Sequence, residues 1–333
     1  MKQSVNVLII IFLFFISISC NNTTENKKET SQKKEKVTVP DFNSDTAYYY
    51  VKKQVDFGPR VPNTLANINC MKFLSSTLKR YTSDVIIQNF KAKAYNGETL
   101  IGNNIIAVFN PELKNRIMLC AHWDSRPYAD HDPDKKNHNT PIDGANDGAS
   151  GVGVLIELAR QMNIKKPEIG VDIILFDTED YGPPQDMQSQ VTDENFWALG
   201  AQYWAKNPHV PDYKAKFGVL LDMVGASDAK FPKEGFSMNY APEVVEKIWN
   251  IGNDIGYNDY FLNQRGSFID DDHYYINKII NIPTIDIIHL DPNSRNGAFF
   301  EHWHTLKDNI NTIDKTTLKV VGQTLLFLIY EEK

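Results

Sequence analysis

The chain has 333 residues, 42% of them apolar and 23% charged, a balance ordinary for a globular protein and enough for a sizeable core. Its net charge of −7 argues against nucleic acid as a partner, because binding phosphate calls for a basic face. No period repeats along the chain, which sets aside solenoids and heptad coils.

Lys2 precedes the run VNVLIIIFLFFISIS, which ends in small residues before Cys20. The apolar stretch is shorter than the ~20 residues of a spanning helix. It resembles a bacterial lipoprotein signal, with residues 1–19 as signal peptide and Cys20 as the lipidated first residue, although Ser17 stands where leucine is usual. That resemblance implies an exported protein, lipid-anchored to a bacterial membrane on its periplasmic or cell-surface side. An uncleaved anchor helix is the alternative, and it too takes the protein out of the cytoplasm. The stretch NNTTENKKETSQKKEK has too little apolar surface to fold, so residues 20–41 read as the lipidated cysteine and a disordered tether, and residues 42–333 as the catalytic domain.

From Phe42 onward, AYYYVKKQVDFGPR and LANINCMKFLSSTLKRY carry helical apolar spacing across a proline-rich turn. DVIIQNFKA, NNIIAVFN and RIMLCAHWD read as strands. In GVGVLIELARQM, Val152, Leu155, Ile156, Ala159 and Met162 share one helical face. VDIILFDTED and KFGVLLDMVGA are continuous apolar runs ending in acids, as strands buried on both faces would be. Between and after them, WALGAQYWAKN, PEVVEKIWNIGNDIG and DKTTLKVVGQTLLFLIYEE are helical, and PTIDIIHL is a strand. The alternation predicts an α/β fold: one three-layer αβα domain around a mixed, mostly parallel twisted sheet. Cys70 and Cys120 sit in apolar surroundings that suit two buried thiols as well as a bridge.

Asp124, Asp177 to Asp180, Asp222 and Asp286 to His289 fall at or just beyond predicted strand ends, where open α/β sheets bind ligands. With His122, Asp147, Asp270, Asp271, Asp272, His273 and His304 they form a set of carboxylates and imidazoles that repel one another unless a cation joins them. Mixed Asp/His donors point first to Zn²⁺. Singly, each such aspartate is most often a cap or turn former; the whole set is what that reading explains badly. The turn DGANDGASGVG lacks the spacing of a dinucleotide fingerprint, so its glycines serve close packing around Asp147, while Asp143 stabilises the turn.

Taken together, AHWDSRP, DGANDGASGVGVLIELAR, LFDTEDYG, LGAQYW, LLDMVGA, IDDDH and EHWHTLKDN resemble the zinc exopeptidase clan, and within it the glutaminyl-peptide cyclotransferase branch. The likeness runs from about Val55 to the last helix. It implies one zinc per chain, held by Asp147, Asp180 and His304. It also implies Glu179 as acid/base and Asp222 and Asp271 as a hydrogen-bonded carboxylate pair, with Trp303 and Phe299 as pocket aromatics. Asp180 stands where the animal enzymes carry glutamate, and Trp197 is the candidate for a pocket tryptophan otherwise without a counterpart. The expected substrates are peptides or proteins with N-terminal glutamine, cyclised to pyroglutamate with loss of ammonia. The rival is a two-zinc aminopeptidase, in which His122, Asp147, Asp180, Asp222 and His304 would ligate two ions. There His122 is a second-metal ligand; otherwise it and Asp124 support the site from behind.

Overall fold

A computed structural model describes residues 38–191 and 196–333. The signal segment, Cys20 and nearly all of the tether lie outside the described residues. No helix among the described residues is long and apolar enough to cross a membrane.

The chain opens with α1 (Ser44–Val55) and α2 (Leu65–Leu78), capped by Asn43 and Thr64, whose side chains accept the orphan N–H of Thr46 and Asn67. A six-stranded sheet follows, built from β1 (Asp84–Lys93), β2 (Thr99–Phe109), β3 (Arg116–His122), β4 (Gly170–Phe176), β5 (Gly218–Asp222) and β8 (Thr284–Ile288). Its order is β1-β2-β4-β3-β5-β8, antiparallel across β1, β2 and β4 and parallel from β4 to β8. The parallel strands are buried along almost their whole length, as two-sided helical cover requires.

Side chains alternate across a strand, and the two halves of the core follow that period. Ile117, Leu119 and Ala121 of β3 enter the cluster beneath α1, α3 (Ala149–Ile164), α6 (Pro242–Asp254) and α8 (Lys315–Glu331). Met118 and Cys120 enter the opposite cluster, beneath α4 (Leu199–Lys206) and α7 (Asp272–Ile280). Cys70 belongs to the first cluster, so the two cysteines lie in different halves of the core and are free. Burial pushes the Cys70 thiol up to about 12, which leaves it unreactive.

Four elements were not foreseen: α5 (Gly235–Tyr240), α7, and the short parallel pair β6 (Phe231–Lys233) and β7 (Phe261–Arg265). All span nine residues or fewer, too short for a period to stand out. One placement is corrected. Asp286 does not stand beyond a strand but in the middle of β8, fully buried. The alternation that puts Ile285 and Ile287 in one core half turns it the other way.

Candidate active site

The carboxyl ends of β3, β4 and β5 converge on one pocket of about 350 Å³. β3 ends at His122, β4 is followed within four residues by Glu179 and Asp180, and β5 ends at Asp222. Asp147 precedes Gly148, the N-cap of α3. At Gly148 φ is +94°, and a Cβ there would stand 2.7 Å from the Asp124 carbonyl oxygen and 3.0 Å from the His122 ring. Gly144, at φ +56°, would meet the Asp147 carbonyl oxygen at 2.6 Å. Both positions need a left-handed backbone and have no room for a side chain.

Backbone strain collects here. Thr178, Met223 and His304 have φ of +60°, +50° and +53°, and each is, or adjoins, a polar residue of the pocket. Such residues persist only where their surroundings hold them, and they cluster at functional sites.

Asp147, Asp180 and His304 are brought together, all buried, with one potential ligand atom each within 4.8 Å of the others. His304 Nε2 lies 3.6 Å from Asp147 Oδ2 and 3.3 Å from Asp180 Oδ1. Donors about 2 Å from a tetrahedral zinc stand about 3.3 Å apart, so the spacing fits that ion. Asp180 Oδ2 is buried without a hydrogen-bond partner, an arrangement that costs free energy unless a cation meets it. A second group, His122, Asp147 and Asp222, is equally close: His122 Nε2 is 3.1 Å from Asp147 Oδ1 and 3.2 Å from Asp222 Oδ1.

Glu179 lines the pocket beside this cluster. Burial, opposed by His122 and reinforced by Asp180, Asp271 and Asp272, pushes its carboxyl well above the usual range. Asp222 and Asp271 line the same pocket. Burial, opposed by His122 and reinforced by Asp147 and Asp271, raises Asp222 to about 7. Asp271 is also the N-cap of α7, accepting from the Asp272 N–H at 2.5 Å. Trp303 stacks on His304 with ring centroids 3.7 Å apart, and Phe299 packs on Trp303 at 4.5 Å. Trp197 closes the far wall, lying on Gly182, where a Cβ would collide with its ring at 2.2 Å.

Other predicted candidates stand apart from the pocket. Asp124 is fully buried and accepts the N–H groups of Glu179 and Asp180 at 3.1 and 3.2 Å, so it positions that loop. Asp177 turns away toward Asn67 and Asn103. His273 bonds Glu234 at 3.0 Å and Asp272 is fully buried; Asp270 is the exception and lines the pocket. Asp143 offers its backbone carbonyl to Arg60, and its side chain does not join the cluster.

Four supporting residues escaped the sequence reading. Arg60 is fully buried and ties the Trp123, Asp143 and Gly144 carbonyls together. Asp308 accepts the Asn146 and Asp147 N–H groups at 2.8 and 3.1 Å, and burial with the neighbouring Asp147 charge raises it to about 8. Arg126 and Asp130 form a buried ion pair behind Asp180 and His304. Each acts across a long sequence separation or from a loop with no regular period. All four stand in polar or turn-rich segments, where a charged residue is ordinary and names no partner.

A parallel-cored αβα sheet carrying a carboxylate–imidazole cluster at its strand ends defines a metal-dependent enzyme of the zinc exopeptidase type. The chain belongs to Peptidase family M28, which matches residues 104–329. Among solved structures it is similar to a Zn-dependent exopeptidase from Parabacteroides distasonis, at 54% identity and TM-score 0.85, covering 88% of this chain and 99% of that one. It is similar also to the glutaminyl cyclase of Bacteroides thetaiotaomicron bound to N-acetylhistamine, at 51% identity and TM-score 0.86, covering 89% and 100%. The glutaminyl-peptide cyclotransferase of Bos taurus is 25% identical over 304 residues, 82% of this chain and 78% of that protein.

Proposed function

We propose that the chain is a glutaminyl-peptide cyclotransferase with one zinc, converting N-terminal glutamine of peptides or proteins to pyroglutamate and ammonia. The observation that carries the reading is the likeness to a glutaminyl cyclase, at 51% identity over 89% of the chain, with the candidate ligands and Asp222 and Asp271 lining one pocket. Asp222 and Asp271 stand there with Asp147, Asp180 and His304, the arrangement expected of a single-metal site with a carboxylate pair beside it.

Held by Asp147, Asp180 and His304, zinc would act as a Lewis acid on the γ-carbonyl oxygen of the substrate. The rest falls to the side chains. The α-amine attacks the γ-amide carbon, a C–N bond forms to close the ring, and the bond to the amide nitrogen breaks. Glu179 takes a proton from the attacking amine and returns it to the departing nitrogen, which leaves as ammonia. Asp222, backed by Asp271, orients the amine. Trp197, Phe299 and Trp303 wall the pocket and exclude the water that would hydrolyse the amide instead.

A second reading, a two-zinc aminopeptidase, draws on the close approach of His122, Asp147 and Asp222. The two separate in one assay. Ammonia from a glutaminyl dipeptide, one zinc per chain at full activity and no cleavage of a leucine anilide is the expected result. Two tightly bound metals with anilide cleavage overturn it.

A further inference from the structure

The imidazole of His304 has two nitrogens, and the structure gives each a different neighbourhood. Nε2 faces Asp147 and Asp180. Nδ1 is buried and makes no hydrogen bond; Asp130 Oδ1 lies 3.4 Å from it, and Asp130 is the carboxylate that faces it. A histidine that ligates a metal through one nitrogen keeps its proton on the other, where a carboxylate acceptor fixes the tautomer and the plane of the ring. Asp130 is the acceptor in reach.

Asp130 is itself immobilised. Arg126, with no exposed surface, grips both its oxygens, Nε to Oδ1 at 3.0 Å and Nη2 to Oδ2 at 2.6 Å, and the Gln185 N–H donates to Oδ2 at 2.9 Å. The same guanidinium reaches the Asp180 carbonyl at 3.1 Å, Asp180 Oδ1 at 3.4 Å and the Pro183 carbonyl at 3.2 Å, and it lies 5.0 Å from the Trp197 ring centroid. One buried ion pair thus touches two of the three candidate ligands and a pocket wall, although those ligands are 124 residues apart in sequence, from Asp180 to His304.

We propose that Asp130 is a positioning residue that fixes the His304 ring for the metal, and that Arg126 locks it while bracing the Asp180 loop. The inference rests on the ligand set proposed above.

The test is zinc affinity of the metal-free full chain, measured by competition with a chromogenic chelator. Asp130→Asn is expected to weaken binding 10- to 100-fold, the usual effect of losing such an acceptor. In a His304→Ala background the same substitution is expected to add nothing, because the ring it acts through is gone. Asp132→Asn supplies the contrast: Asp132 accepts the Leu306 N–H at 3.2 Å, holding the same loop without touching the ring, and should leave affinity within about threefold. Asp130→Glu keeps the charge opposite Arg126 and serves where the asparagine variant does not fold; displacing the carboxylate by a methylene should still weaken zinc binding. Wild-type affinity in Asp130→Asn or Asp130→Glu, or an equal loss with and without His304, overturns the inference. Wild-type affinity in His304→Ala overturns instead the ligand set on which it rests.

Discussion

The two ends of β3 and β4 treat buried charge in opposite ways. At the amino-terminal end, Asp172 of β4 is fully buried and fully partnered. Arg116 of β3 meets both its oxygens at 2.7 and 2.8 Å, and the Tyr213 hydroxyl donates to it at 2.6 Å. At the carboxyl-terminal end, Asp147, Asp180, Asp222 and Glu179 crowd round two imidazoles, and Asp180 Oδ2 and His122 Nδ1 have no hydrogen-bond partner. Protein groups alone complete the first arrangement. The second is complete only with a cation and a substrate, and the cost of leaving it open is the cost of having a site.

Three experiments sharpen that contrast, beginning with the largest effect. Glu179→Gln should lower turnover of a glutaminyl dipeptide by at least ~100-fold while zinc content, read by atomic absorption, stays at the wild-type value. Near-normal turnover would remove Glu179 from the chemistry. At the other end of the strands, Asp172→Asn should cost about 3 kcal/mol of stability in urea unfolding by breaking a buried pair, with zinc content and turnover of the folded fraction unchanged. Loss of zinc in that variant would show that the two ends are not independent.

The smallest effect is in pH. Unfolded aspartates ionise near 4, whereas folded Asp222 and Asp308 hold their protons up to about 7 and about 8. The folded state therefore binds more protons, and the stability these groups contribute is lost as pH rises through those values. The lowered histidines, His131 and His289 at about 4, act in the opposite sense but only below about 6.5. Metal-free protein should accordingly melt at a lower temperature at pH 8.5 than at 6.5. Saturating zinc should flatten the slope, since it binds ionised ligands. A metal-free melting temperature that rises over this range would contradict the open reading of the site.

Much of the candidate site was legible because its residues sit where strand patterns stop. Continuous apolar runs ending in acids announced β4 and β5, and with them Glu179, Asp180 and Asp222. The glycine turn before α3 marked Asp147. Asp271 was legible as a pocket acid and, taken singly, as a cap or turn former; the structure has it lining the pocket and capping α7. The misplacement of Asp286 has a plain cause: one aspartate inside a five-residue apolar strand looks the same as one at its end.

By itself, the sequence determined the alternation of helices and strands and the two-sided burial of the central sheet, because both depend on local periodicity. It determined also which side chains stand at strand ends. Only the tertiary structure decided which of those meet, and which residues hold them there. Arg126 and Asp130, Asp308 behind Asp147, and Asp124 under Glu179 all act through contacts set by packing distant segments together. Such contacts leave no period in the chain, since hydrogen bonds across a folded core are fixed by distance in space and not by spacing in sequence.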